Sequence, residues 1–316
     1  MNLLHDRDFV VVISGVIGLL VLSSIIGLIL KHRVKSESTQ KVVSNLNTRT
    51  KAWWIMCVAL FAAMATGGVG SIILFAITSF LALREFITLT PTRASDHRTL
   101  FWAFFIITPV HYYLLLTHWY GMFSIFIPVY AFLFIPLRSA MAGDTENFLA
   151  RTSMIQWALM LSVYCVSHAP ALLMLEIPGF EGQNIKLLMF LILITQLSDV
   201  FQYVFGKTLG KHKVAPLVSP NKTWEGLIGG VGTSVAVGTG LWWVTPFSIQ
   251  QAALISLAVT LAGFAGGLCM SAIKRDRGVK DFGTLIEGHG GILDRIDSIC
   301  FAAPIYFHII RYYFTV

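Results

Sequence analysis

Apolar runs of about 20 residues recur along almost the whole chain, each long enough to cross a hydrocarbon core of ~30 Å as a helix. That one feature removes most folds. Within a bilayer every backbone N–H and C=O needs a partner inside the protein, so such runs become helices packed on one another. Composition agrees, with 56% hydrophobic and 12% charged residues against roughly one quarter charged in a soluble domain. The reading is an all-α integral membrane protein of about ten transmembrane helices. The spans fall near 9–30, 52–66, 69–87, 99–116, 120–138, 154–175, 186–205, 226–244, 251–273 and 298–314. Gly67, Gly68 and Gly70 mark the turn that divides a run too long for one span. The first run follows Asp6 and Asp8 and lacks a small-x-small cleavage site, so it is expected to be a retained span.

The cations test this layout. Counting Lys and Arg near span ends, twenty of the 23 fall in alternate loops: 31–51, 84–98, 138–151, 207–222 and 274–295. Only Arg7, Lys186 and Arg311 lie on the other side. A wrong span count would scramble that alternation, so the asymmetry supports the topology and a cytoplasmic face for the loops 206–225 and 273–297, and the expected location is a bacterial inner membrane. The formal net charge of +7 then follows from anchoring at the inner leaflet and needs no nucleic acid partner. Cys57, Cys165, Cys269 and Cys300 lie in or at the ends of apolar runs without CxxC spacing, which reads as small buried hydrophobes.

One stretch breaks the apolar pattern. KRDRGVKDFGTLIEGHGGILDRID, Lys274 to Asp297, packs five cations, five carboxylates and a histidine between two apolar runs. Asp294 and Asp297 are three apart, close to one helical turn, so both carboxylates share a face. Paired carboxylates suit a hard cation such as Mg²⁺, which keeps waters and substrate phosphates as the rest of its shell. The turn Gly288-His289-Gly290-Gly291 has backbone N–H groups with little bulk around them, able to approach a phosphate, with Lys274, Arg275 and Lys280 close by.

Two further features join it. The basic loop GKTLGKHKVAPLVSPNKTWEG, Gly206 to Gly226, begins like the end of a P-loop, but Phe201 stands where that motif needs glycine. Within it Ser219-Pro220-Asn221-Lys222-Thr223 reads as a compact polar turn, with Asn221 or Thr223 as the cap of a helix beginning near Leu227. Asp199 is a carboxylate in an apolar run a few residues from the cytoplasmic end, where an acid usually marks a cavity or a partnered interior charge.

Together these motifs resemble the phosphatidate cytidylyltransferase (CDP-diacylglycerol synthase) family. SAIKRDRGVKDFGTLIEGHGGILDRID, Ser271 to Asp297, is similar to its signature, and the loop GKHKVAPLVSPNKTWEG and upstream Asp199 are similar to it too. The resemblance implies attack of a phosphatidate phosphate oxygen on the α-phosphorus of CTP, giving CDP-diacylglycerol and pyrophosphate. It implies Asp294, Asp297 and Asp199 at a metal site, holding Mg²⁺ with room for a second cation. Asp281, Lys280, His289, Lys274 and Arg275 take the catalytic positions. His289 is assigned phosphate hydrogen bonding or loop architecture, because an ionised phosphate needs no general base. Ser219, Asn221, Lys222, Thr223, Ser271, Gly290, Gly291 and Arg295 bind substrate. Partners are then CTP, phosphatidate or a related lipid phosphate, and membrane lipids, with a homodimer left open. Residues 1–185 form the scaffold or lipid chamber and 186–316 the catalytic region.

The chain departs from the family pattern twice. Gly267 stands where the family carries a metal-binding aspartate four residues before the signature serine, and Glu287 where it has proline. One acid lost and one gained suggests that Glu287 partly restores the charge. A catalytically impaired homologue that binds lipid or a partner is the alternative that Gly267 raises. A transporter is disfavoured, because the charged motifs lie in loops on one face rather than between midplane repeats.

Overall fold

The computed structural model describes residues 6–33, 37–286, 288 and 290–315. Its long helices are α1 (Arg7–Arg33), α2 (Glu37–Ala65), α3 (Gly68–Thr88), α4 (Ala94–Leu116), α5 (Tyr120–Ala140), α6 (Phe148–Met174), α7 (Ile185–Thr208), α8 (Trp224–Gly240), α9 (Ile249–Asp276) and α10 (Leu293–Phe314). Every expected span corresponds to one of them, with ends that shift. Among the described residues, seven are long and apolar enough to cross a membrane: α1, α3, α4, α5, α6, α7 and α9. The chain is thus a helical membrane protein, but ten crossings go beyond that. Helix α8 has only 17 residues, α10 carries Asp294, Arg295, Asp297 and Arg311, and the first half of α2 is polar.

That half of α2 is the largest change from expectation. Residues 37–51 read as a loop, yet they are helical. The segment ESTQKVVSNLNTRTK contains neither Gly nor Pro, so the apolar half that follows can propagate its helix backwards through it. Helices α2 and α3 separate where expected, at Gly67, whose φ of 85° a side chain would resist. Helices α4, α5 and α6 each contain a π segment, at Ala103–Ile107, Phe126–Ala131 and Met160–Cys165. In the first two a proline, Pro109 or Pro128, lies beside or within the widened turn and removes a regular donor.

The C-terminal helices pack in series, α7 on α8, α8 on α9 and α9 on α10, while α3 and α6 back α10. Glycines allow this closeness. A methyl group at Gly230 of α8 would lie 2.7 Å from the backbone nitrogen of Gln202 on α7, and one at Gly266 of α9 would lie 2.7 Å from the carbonyl oxygen of Asp297 on α10. Small residues at such contacts are how membrane helices gain packing without a hydrophobic drive. The succession brings Arg49, Lys222, Lys280 and Arg295 to one end of the molecule. At the other end, Lys186 is 2% exposed and its ammonium meets Asp6 at 2.8 Å and Asp8 at 3.2 Å, tying the start of α1 to α7.

The segment between α7 and α8 is a two-stranded antiparallel hairpin, β1 (Lys213–Ala215) with β2 (Ser219–Thr223), pairing Lys213 with Thr223 and Ala215 with Ser219. The expected compact turn at 219–223 is therefore corrected to a strand. Its stem is clasped by Glu225, which accepts from the amides of Lys211 (3.0 Å) and His212 (3.2 Å) and from the His212 ring (2.6 Å). Thr223 caps α8 by accepting from the Gly226 amide at 3.1 Å, and the helix begins at Trp224, three residues before its expected start.

Candidate functional site

The cation-rich end holds two clefts that share a wall. One, of about 300 Å³, is lined on its outer side by Ser219, Asn221, Lys222, Thr223 and Ser271, with Gly267 at its floor. The other, of about 620 Å³, is lined by Asn45, Arg49 and Trp53 of α2 together with Lys280, Asp281 and Gly290. Asp199, Tyr203, Asp294, Arg295 and Asp297 face both. Residues from α2, α7, the hairpin, α9 and α10 thus converge on one ridge, although Asn45 and Asp297 are 252 positions apart in the chain.

The carboxylates on that ridge have different work. Asp294 is 5% exposed and its oxygens are committed. Oδ1 accepts from Lys274 Nζ at 2.8 Å, and Oδ2 from the amides of Phe282 (2.7 Å) and Gly291 (2.9 Å). Lys274 itself is 9% exposed, and its head lies 5.3 Å from the Phe282 ring centre. Asp294 therefore pins the loop between α9 and α10 onto both helices. Asp199 and Asp297 are less committed. Ser298 Oγ bridges them, donating to Asp199 Oδ2 at 2.7 Å and lying 3.4 Å from Asp297 Oδ1, which also accepts from the Ser298 amide at 2.8 Å. Asp294 and Asp297 do sit one turn apart on α10, but Asp294 already accepts three hydrogen bonds, whereas Oδ2 of Asp297 accepts none among the described residues.

The glycine turn is shaped as expected and partly spent. Gly288 and Gly290 have φ of 73° and 84°, and Ile286 donates to the Gly290 carbonyl at 2.8 Å. The amide of Gly291 goes to Asp294, and those of Ile292 (2.9 Å) and Leu293 (2.8 Å) go to the carboxylate of Glu85 on α3. The start of α10, where free amides would attract a phosphate, is thus already held by protein carboxylates. Gly290 lines the second cleft, with its neighbour Asp281. His289 and Glu287 lie outside the described residues.

Glu85 is the functional residue that the motifs did not reveal. It is 9% exposed and sits more than 200 positions from the amides it accepts. Its signal was available in LALREFITL, where an acid interrupts an apolar run near a span end, as Asp199 does. Arg49 was missed because residues 37–51 were read as loop, and Trp53 because it was read as one more apolar residue of the span 52–66.

Lys222 projects from β2 into the first cleft. Burial draws its pKa down, and Asp199 and Asp297 oppose that pull. Arg295 faces both clefts, and its buried Nε lacks a hydrogen-bond partner within the protein. Ser271 donates to the carbonyl of Gly267 at 2.7 Å, which fixes its rotamer on the cleft wall. Arg275 stands apart from both clefts: its guanidinium braces the carbonyls of Val218 (3.3 Å) and Val279 (3.2 Å), locking the hairpin to the end of α9.

Residues 47–313 match the description Cytidylyltransferase family. The chain belongs to the cytidylyltransferase family. It is 38% identical over 304 residues to a protein of Escherichia coli (strain K12) described as uncharacterized protein YnbB, covering 95% of this chain and 97% of that one. It is 41% identical over 127 residues to the phosphatidate cytidylyltransferase of Staphylococcus aureus (strain COL), covering 40% of this chain and 49% of that one. The corresponding enzyme of Staphylococcus saprophyticus is 40% identical over the same length. The chain thus spans about half the length of these phosphatidate cytidylyltransferases and nearly all of the YnbB protein.

A magnesium ion fits the donors of this site only in part. Asp199 and Asp297 offer hard carboxylate oxygens beside a hydroxyl, which suits an ion that retains several waters. Asp294 is mostly taken up by Lys274 and two backbone amides, and among the described residues no group of three or more His, Cys, Asp or Glu could form a metal cage.

Proposed function

We propose that this chain transfers the cytidylyl group of CTP to phosphatidate or a related lipid phosphate, releasing pyrophosphate, at the cytoplasmic face of a bacterial inner membrane. The observation that carries the reading is the shared wall. Two anionic substrates must meet at one phosphorus, and here two polar clefts meet along Asp199, Asp297 and Arg295.

The first cleft takes the nucleotide. Ser219, Asn221, Lys222 and Ser271 offer hydroxyl, amide and ammonium donors to a polyphosphate. The second cleft takes the lipid phosphate, held by Arg49 and Lys280, with Trp53 at the apolar boundary where an aromatic ring favours the interface. A phosphate oxygen of the lipid attacks the α-phosphorus, the bond to pyrophosphate breaks, and charge spreads onto the leaving group. Arg295 faces that point from both sides and stabilises it. Asp199 and Asp297 would hold Mg²⁺, with or without a second cation, and the ion would supply charge neutralisation for both phosphates. Asp294 and Lys274 position the ridge. Asp281 borders the lipid cleft as a polar wall, and Arg275 keeps the hairpin in register.

A second reading rests on one observation: Gly267 places no carboxylate in the first cleft. The chain would then bind CTP or a lipid phosphate without turnover. Formation of CDP-diacylglycerol from radiolabelled CTP and dioleoyl phosphatidate by the detergent-purified chain, with and without Mg²⁺, separates the two. Product that requires Mg²⁺ and vanishes in Asp297→Asn is the expected result. Saturable CTP binding without product would establish the binding protein instead.

A further inference from the structure

Gly267 and Lys222 form a matched pair. Gly267 lies on α9 one helical turn before Ser271 and faces the first cleft. A methyl group there would lie 2.8 Å from Lys222 Nζ, closer than real side chains sit, so the lysine head fills the volume that a side chain at 267 would need. Lys222 reaches this place from the opposite wall, carried by a strand whose pairing fixes its direction. Its ammonium lies 4.6 Å from the centre of the Phe264 ring and donates one long hydrogen bond, 3.4 Å, to the Phe264 carbonyl. An ammonium has three donors, so two are left without a hydrogen-bond acceptor among the described residues.

Across the same cleft stand Asp199 and Asp297, both within reach of the Ser298 hydroxyl. Among the described residues neither forms an ion pair with Lys222. A tethered cation thus stands near two carboxylates without being consumed by either. Resting on the proposed cytidylyl transfer, we propose that the Lys222 ammonium takes the place of one metal ion beside the Asp199–Asp297 pair, so that this chain takes up at most one divalent cation. The bare backbone at Gly267 leaves that position open to the ammonium, which a side chain there would push aside.

A fixed ammonium differs from a captured ion. It is present before substrate arrives, it donates hydrogen bonds to phosphate oxygens instead of accepting ligands, and it repels any cation bound alongside. Repulsion of that kind is the measurable consequence. The test is a Mn²⁺ titration of the full-length protein in detergent, with neither CTP nor lipid, reading free Mn²⁺ by electron paramagnetic resonance. The wild type is expected to bind no more than one Mn²⁺ per chain. Lys222→Met should bind Mn²⁺ at least tenfold more tightly or take up an additional ion, and Lys222→Arg, which keeps the charge, should behave as wild type. Gly267→Asp, which adds a carboxylate against the ammonium, should also tighten binding. Equal binding in wild type and Lys222→Met, two ions in the wild type, or no Mn²⁺ in any variant would overturn the proposal. Thermal unfolding checks that each variant is folded, and Gly267→Asp carries the comparison if Lys222→Met is not. Because no substrate is present, a failure of cytidylyl transfer leaves this outcome untouched.

Discussion

Two charged clusters lie at the same end of this molecule, and they are built oppositely. In one, Arg151 is 3% exposed and closed in by acids, with Asp144 at 2.8 Å and Asp96 at 3.5 Å. Arg93 at 2.9 Å and the Ser95 hydroxyl at 2.8 Å complete the shell around Asp144. The Arg151 hydrogen bond, then that of Ser95, hold the Asp144 carboxyl well below the usual range. In the other, Asp199, Asp297, Lys222 and Arg295 face two clefts, and among the described residues no ion pair joins them. The first cluster ties the start of α4 to α6 and the loop before it. The second leaves its charges available. In a chain with so few charged residues, that difference separates architecture from chemistry better than the mere presence of a buried charge.

The largest effect is expected where charge is available. Asp297→Asn should lower turnover by at least about 100-fold, since a group that stabilises developing charge is worth that much or more. Its thermal unfolding should stay within a few degrees of wild type. Retained activity would mean that the ridge is not the reacting centre. The closed cluster should respond the other way. Arg151→Met strands the buried Asp96, and removing one partner of a buried pair costs about 3–5 kcal/mol. Thermal unfolding should record that loss, while turnover per folded molecule falls by no more than about twofold.

Glu85 blurs the distinction, and therefore sharpens it. Its carboxylate is spent on the amides of Ile292 and Leu293, as in the closed cluster, yet what it holds is the start of α10, which carries Asp294, Arg295 and Asp297. Glu85→Gln keeps the shape and removes the charge, so it should cost about 1–3 kcal/mol of stability. Activity should fall together with stability, and a rise in both KM values without loss of thermal midpoint would contradict the positioning role.

How far this was legible in the sequence depended on range. The apolar runs located the helices because the bilayer admits little else, and the unlike residues from Ser271 to Asp297 located the ridge because they are contiguous. The hairpin was not legible: Ser219–Thr223 is short and contains proline, so its strand character comes from the Glu225 clasp and from Arg275 rather than from propensity. Nor was the division of labour between Asp294 and Asp297 legible. Their spacing was visible, but Lys274, Phe282 and Gly291 reach Asp294 through a loop whose path no periodicity describes. Glu85, Arg49 and Trp53 come from the half of the chain read as scaffold, and it is packing of α2 and α3 that carries them to the site.

Arg49 tests whether the second cleft belongs to the lipid. Arg49→Gln should raise the KM for phosphatidate by about tenfold, or about 1.4 kcal/mol, and leave the KM for CTP unchanged. A change in the CTP value alone would exchange the two clefts.

The smallest effect is expected at the hairpin stem, on the nucleotide side of the ridge. The His212 ring, then the backbone amides, hold the Glu225 carboxyl down at about 2 from an ordinary 4.5. A folded-state pKa depressed in this way contributes stability above about 4.5, and that contribution fades as pH falls toward 2. The clasp is therefore intact throughout the neutral range, and its removal should show there. Glu225→Gln should raise the KM for CTP by about two- to threefold at pH 7, through loss of hairpin order, with little change in thermal midpoint because the group is partly exposed and its partner His212 largely so. The difference between variant and wild type in hairpin protection, followed by amide exchange at Lys211 and His212, should shrink as the pH is lowered below 4.5. Protection that is equal at pH 7 would show that strand pairing and Arg275 hold Lys222 in the cleft without Glu225.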